Sequence, residues 1–307
     1  MTAPPRSYVF RQVDVFTDRP YGGNPLAVIL DADPLSTGQM QAIAREMNLS
    51  ETSFVTSATA PDADYRLRIF TPSRELPFAG HPSVGTAHVL FEEGVLKAGS
   101  TPAVFLQEVG IGVLPIEIQP EDRPPRIMTT QGTPEYGDVV HDLAALSRAL
   151  NVDQAAIEAS GLQPQIVSTG LRQLMLPVAG LEAVQQIKPD LRALEELERG
   201  MEFTGCSVFS LQTVSPDTTA HVRFFTPASG ISEDPATGSA AGALGAYLVG
   251  NGVLGNTGGR VELTVEQGGE IGRPSRIYVE VEHRGKSPTL VRVGGYSVTI
   301  LRGELLV

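Results

Sequence analysis

The chain has no tryptophan, a single cysteine and a shortage of basic residues: 23 lysines and arginines face 35 aspartates and glutamates, a net charge of −12 in 307 residues. A lone Cys206 excludes an internal disulfide and any cysteine-based zinc cluster, and it suits a reducing compartment. The acidic surplus opposes phosphate backbones and anionic lipid, so nucleic acid is not expected as a partner. No apolar run approaches the roughly 18 residues a membrane span needs, and "MTAPPRSYVF" at the N-terminus holds no apolar core of leader length. The expectation is a soluble cytoplasmic protein with no membrane partner. The five histidines, His81, His88, His141, His221 and His283, show no metal-ligand spacing and no His-Glu-x-x-His run. No metal is expected. "GNGVLG" (250–255) matches a dinucleotide fingerprint in letters only, because it follows a helical pattern and leads into the strand pattern "RVELTVE". It reads as a helix stop and turn, and no dinucleotide cofactor is expected from it.

What is present points to two domains, since domains usually run to about 100–200 residues. "YVFRQVDVF" (8–16), "PLAVILD" (25–31), "TSFVTSA" and "YRLRIFTP" are strand-like in their β-branched and aromatic content. Between them, "STGQMQAIAREMN" (36–48) opens with a Ser36–Gln39 capping box and spaces Met40, Ile43, Ala44 and Met47 as one helical face. A short helix is expected from about Gly85 to Glu93, stopped by Gly94, and one strand over 109–119. "PEDRPP" (120–125) breaks the apolar alternation and is the best linker candidate.

The second half repeats this order. "PQIVSTGLRQLMLPV" supplies two strands, "DLRALEELERG" a helix, and "CSVFSL" and "AHVRFFTP" two more strands. Phe70 matches Phe225, Ser53 matches Ser207, and His81 of "FAGHPSVGTAHV" matches Asp234 of "SEDPATGSAAGA", all at offsets of about 153–155 residues. Three nearly equal offsets argue for internal duplication. The helix "GSAAGALGAYLV" (238–249) has no polar face and must be surrounded by protein. The expected fold is therefore α+β, with two similar domains, each a curved sheet or barrel around a buried helix. A doubly wound parallel sheet is the alternative.

Both motifs end in Gly-Thr-Ala or Gly-Ser-Ala, placed by this reading at a helix N-terminus. Unpaired N–H groups and the helix dipole there favour an anion such as a carboxylate. Glycine allows a close backbone approach, though the same residues are also ordinary helix-start chemistry.

Together "GGNPLAVI", "MNLSETSFV", "FAGHPSVGTAHVL", "SEDPATGSAAGALGAYL" and the late "EQGGEIGRPSRIYVEVE" resemble the PhzF-like phenazine biosynthesis isomerase family of the diaminopimelate epimerase-like superfamily, over essentially the whole chain. The resemblance implies two similar β-barrel domains, each around a central helix: 1–120 and 126–307, with 121–125 as linker and the last strand, about 295–307, returning to the first domain. It implies an active site between them and a cofactor-independent isomerase, with Glu51 as the acid/base. His81, Asp234, Ser239, Gly238, Gly80 and Asn24 fall on substrate-binding positions, with a small anionic carboxylate as substrate; a homodimer is also implied. The residues add an asymmetry of their own. Under the Ser53–Ser207 match Glu51 falls opposite Gly205, so the frame is duplicated and the acid is not. That favours one base over the pair a racemase needs. Burial beside Leu49 and Phe54 is the expected way to bring the Glu51 carboxyl toward the working pH. An amino-acid racemase or epimerase, and a non-catalytic small-molecule binder or regulator, are the alternatives. Cys206 is expected to be buried and inert.

Overall fold

The computed structural model describes residues 6–255 and 259–307, so the stretch read for a leader lies partly outside the described residues. The chain divides into two compact units, Met1–Thr129 with Gly294–Val307, and Thr130–Val293.

The first unit contains β1 (Ser7–Val15), β2 (Asn24–Ile29), α1 (Thr37–Met47), β3 (Glu51–Thr56), β4 (Tyr65–Phe70), β5 (Glu75–Leu76), α2 (Gly80–Glu92), β6 (Ala103–Val109), β7 (Gly112–Gln119) and β8 (Arg126–Thr130). Its sheet is mixed. β1 runs antiparallel to β2, β2 parallel to β3, β3 antiparallel to β4, β4 parallel to β6 and β6 antiparallel to β7. A parallel pair needs a crossover, and α1 and α2 supply the two that are required. The last strand, Ser297–Leu306, pairs antiparallel with β1 along its whole length. The segment 109–119 is not one strand: β6 ends at Val109, Gly112 turns with φ +129°, and β7 begins. Residues 120–125 connect β7 to β8, which pair antiparallel.

The apolar face of α1 explains its position. Met40, Ile43 and Ala44 are buried in a cluster with Tyr8, Ala27, Ile29, Phe54 and Phe70, and Met47 packs at its rim. Phe54 and Phe70 meet edge to face at 5.4 Å. The expected capping box is present: the Gln39 N–H donates to Ser36 Oγ at 3.3 Å, and the Ser36 N–H donates to Gln39 Oε1 at 3.0 Å. Ser36→Ala is expected to cost about 1 kcal/mol, read as a lower urea midpoint at unchanged slope.

The second unit contains β9 (Glu135–Val139), α3 (Leu143–Leu150), α4 (Gln154–Glu158), β10 (Gln165–Ser168), β11 (Arg172–Pro177), α5 (Leu181–Gln185), α6 (Leu191–Met201), β12 (Cys206–Ser210), β13 (Ala220–Thr226), β14 (Ile231–Asp234), α7 (Gly238–Gly250), β15 (Arg260–Gln267), β16 (Ser275–Arg284) and β17 (Ser287–Gly295). β10 is antiparallel to β11, β11 parallel to β12, β12 antiparallel to β13, β13 parallel to β15 and β15 antiparallel to β16. This order of pairings is the one found from β1 to β7. Two parallel pairs per unit among many antiparallel ones overturn the doubly wound alternative.

Both crossover helices α2 and α7 are buried on nearly all sides, which the lack of a polar face in α7 requires. Gly85 lets α2 lie against Leu26, Val15 and Val13, while Gly245 brings α7 against Val279 and Val281. Cys206 is fully buried in β12, and burial pushes its thiol pKa far up, as an inert core residue requires. Among the described residues, no helix is long and apolar enough to cross a membrane.

Candidate functional site

The sequence places His81 ahead of its helix, yet α2 begins at Gly80, so His81 is the second helical residue. Pro82 misleads the alignment: it sits inside the first turn, where proline is tolerated because its missing N–H has no helical partner anyway. Pro235 instead precedes α7, whose first two residues are Gly238 and Ser239. The helices therefore correspond as Gly80–His81 to Gly238–Ser239, not as His81 to Asp234. Their exits agree with this register. Val95 and Leu96 both donate to the Leu90 carbonyl, and Val253 and Leu254 both donate to that of Leu248. No side chain caps either helix N-terminus.

In the first unit three candidates come together. Asn48 closes α1 in a left-handed conformation (φ 50°), and Glu51 then opens β3 beside Leu26 of β2. Ser50 Oγ donates to Oδ1 of the fully buried Asn24 at 3.1 Å, which ties the β3 entry to the start of β2. Glu51 Oε2 lies 3.4 Å from His81 Nε2, with the two side chains 14% and 8% exposed. That is an ion-pair distance, but His81 Nε2 makes no aligned hydrogen bond there. Burial also drives the imidazole from its ordinary 6.5 down to about 3. At neutral pH the Glu51 carboxyl group thus faces a neutral ring.

A neutral imidazole suits a carboxyl group that changes protonation state. As the Nε2–H tautomer it donates to a carboxylate, and as the Nδ1–H tautomer its Nε2 accepts from a carboxylic acid. The expected apolar wall for Glu51 is not built from Leu49 and Phe54. Side chains alternate along β3, so Phe54 faces away from Glu51, and both apolar residues pack with the α1 cluster.

In the second unit Asp234 ends β14, pairs with Phe224 of β13 and is 8% exposed. Its Oδ2 accepts from Thr237 Oγ1 at 2.5 Å. Ser239 Oγ accepts from Gln173 Nε2 at 3.0 Å, so its own proton remains for another acceptor. Sequence reading missed Gln173, Thr237 and Gln267. The signal for Gln173 was a polar residue at an inward position of "RQLMLP"; for Gln267 it was a long polar side chain placed just before "GG". Gly205, which the sequence match sets opposite Glu51, has φ +83°, and a Cβ there would run into the Phe224 ring. The left-handed backbone and the Phe224 ring together disfavour a side chain at that position. Among the described residues no group of three or more His, Cys, Asp and Glu could hold a metal.

One further charged cluster stands beside the Asp234 turn. His221 Nδ1 meets Glu266 Oε1 at 2.8 Å and His221 Nε2 meets Glu270 Oε1 at 2.8 Å. Glu266 also accepts from the N–H groups of Val214 and Ser215 and from Thr218 Oγ1. Burial opposes the charge on His221, but the two carboxylates outweigh it and raise its pKa to about 9. The folded value lies above the unfolded one, so this contribution to stability is complete below about pH 6.5 and is lost as pH rises through about 9. His221→Gln is expected to flatten the loss of thermal stability between pH 7 and 10; an unaltered profile would contradict the assignment.

Residues 13–303 match the family described as "Phenazine biosynthesis-like protein". The chain is 35% identical to an uncharacterised isomerase of Clostridium acetobutylicum, covering 98% of this chain and 99% of the relative. It is also 35% identical to the trans-2,3-dihydro-3-hydroxyanthranilate isomerase of Pseudomonas fluorescens, covering 96% and 98%. The crystal structure of the Bacillus anthracis phenazine biosynthesis protein of the PhzF family superposes with a TM-score of 0.89 at 30% identity, over 98% of this chain and 100% of that one. A hydroxyproline epimerase from Agrobacterium vitis shares the fold alone, with a TM-score of 0.66 at 13% identity over 99% of this chain and 93% of that one.

Proposed function

Because the chain belongs to the phenazine biosynthesis-like family and is an isomerase like its curated relatives, we propose that it moves a proton between two carbons of one small carboxylate substrate, using Glu51 as a single acid/base. The observation that carries this reading is the Glu51 carboxyl group 3.4 Å from a buried, neutral His81 at the head of α2. Glu51 takes the proton from carbon, His81 accommodates the carboxyl in both protonation states, and Glu51 returns the proton elsewhere on the same molecule. The contact is long for a hydrogen bond, as catalytic contacts often are before substrate closes them.

His81, Gly80, Asn24, Asp234, Gly238 and Ser239 are assigned to positioning substrate. The helix-start residues among them suit an anionic group, with Ser239 offering its hydroxyl proton. Gly205 supports the single-base reading, because its left-handed backbone and the Phe224 ring disfavour a second acid at the position matched to Glu51. Duplication of one domain, each copy a barrel around its buried helix, belongs to the same reading and is supported by the shared order of strand pairings. The proposed chemistry calls for no metal or organic cofactor, since one carboxyl group carries the proton throughout.

The test is incubation with trans-2,3-dihydro-3-hydroxyanthranilate and a panel of small amino and hydroxy carboxylates, followed by proton NMR. A product with a migrated double bond supports the reading. A panel left unchanged by an enzyme shown to be folded would count against it and favour a binding role.

A further inference from the structure

We infer that Gln267 is a positioning residue for Asp234, an inference that rests on the assignment of Asp234 to substrate. Gln267 ends β15 and is 2% exposed. Both ends of its amide are engaged by one turn. Nε2 donates to the Asp234 carbonyl at 2.7 Å and to Thr237 Oγ1 at 3.1 Å, while Oε1 accepts from the Thr237 N–H at 3.2 Å. Two of these partners are backbone groups with fixed roles, an acceptor and a donor. They settle which end of the amide is oxygen, because the flipped amide would mismatch both.

The consequence is a relay. With its oxygen accepting from Gln267, the Thr237 hydroxyl directs its only proton to Asp234 Oδ2. The carboxylate rotamer is thereby fixed from a residue 33 positions away in sequence. The backbone around Gln267 is shaped for this contact. Gly268, at φ +80°, lets the chain pass against the Pro235 carbonyl, where a Cβ would collide. Ser275 Oγ donates to the Gln267 carbonyl at 3.1 Å. Glu266 and Glu270 flank the residue on either side and hold His221 between them. Since His221 and Phe224 both lie on β13, and Phe224 pairs with Asp234, the same strand anchors both the residue that positions and the one positioned. Glutamine is the residue type required, as a carboxylate lacks the donor and an apolar chain lacks both.

The experiment compares Gln267→Met and Gln267→Glu with wild type by hydrogen exchange at the Thr237 amide. Steady-state rates on trans-2,3-dihydro-3-hydroxyanthranilate, or on whichever panel member wild type converts, are read with and without Asp234→Asn. In Gln267→Met the Thr237 amide is expected to exchange about 10-fold faster or more, with β13 and β16 amides unchanged and kcat/KM down by about 10- to 100-fold. Gln267→Glu keeps an acceptor and is expected to retain Thr237 protection. In the Asp234→Asn background Gln267→Met is expected to have little further effect, the signature of a residue acting through another. Unchanged Thr237 exchange, or effects that multiply in the double variant, would overturn the inference, as would protection lost evenly across the second unit. If wild type converts nothing in the panel, the proposed isomerisation fails, while the exchange comparison still decides whether Gln267 holds the turn.

Discussion

Glu51→Gln is expected to lower kcat by about 10³-fold, within the range that a positioned general acid/base contributes. Glutamine keeps the shape of the side chain and its approach to His81, but it cannot take a proton from carbon and give it back. Glu51→Asp withdraws the carboxyl by one methylene and is expected to retain more activity, losing roughly 10²-fold through misplacement of the proton carrier. Neither change should alter the unfolding free energy by more than about 1 kcal/mol, because the side chain lies outside the large apolar clusters. The pH profile adds a second check. Burial holds His81 near 3, so the profile should show no limb near 6.5 belonging to His81. A His81→Asn variant that removes such a limb would contradict the neutral-ring reading.

Gly23→Ala is expected to cost roughly 3 kcal/mol or more. Gly23 sits at φ +58°, in the left-handed region that favours glycine, and an added Cβ would run into the Val15 carbonyl. Phe16 and Tyr21, at φ 66° and 70°, already hold left-handed backbone in the same connection. The turn has no slack to absorb another strained residue. Asn24 follows directly and is tied to Ser50, the neighbour of Glu51. The loss of stability should therefore be accompanied by a lower kcat in the fraction that remains folded. Urea unfolding gives the first quantity and active-site-normalised turnover the second; wild-type values for both would refute the account of this turn.

The helical faces and the paired strands were legible because burial imposes period on sequence. Met40, Ile43 and Ala44 sit where their spacing places them, and the all-apolar stretch 238–249 is the buried helix α7. The register of the two motifs was not legible. A shared proline anchored the alignment, but Pro82 lies inside a helix and Pro235 before one, and sequence letters do not reveal which side of a helix start a proline occupies. The hairpin at 109–112 was hidden because "VGIGV" keeps its apolar content through the turn. Glu51 and His81, 30 positions apart, meet only through the pairing of β2 with β3 and the packing of α2 on both, so their contact was not written in spacing. Gln173, Thr237 and Gln267 escaped notice for a related reason. Their importance lies in which hydrogen bonds they complete, and an isolated glutamine or threonine carries no periodic signal.

Deuterium in a converted substrate distinguishes one proton-carrying carboxyl from two bases. Wild type is incubated in deuterium oxide, and the product is examined by proton NMR for the position of the label and the configuration of every stereocentre. A single carboxyl that carries the proton gives a positional isomer labelled, if at all, only at the carbon that receives the proton, with no stereocentre inverted in recovered substrate or product. Inversion at one α-carbon with a single solvent deuteron would instead reveal two bases on opposite faces of the substrate and contradict the single-carboxyl mechanism assigned to Glu51.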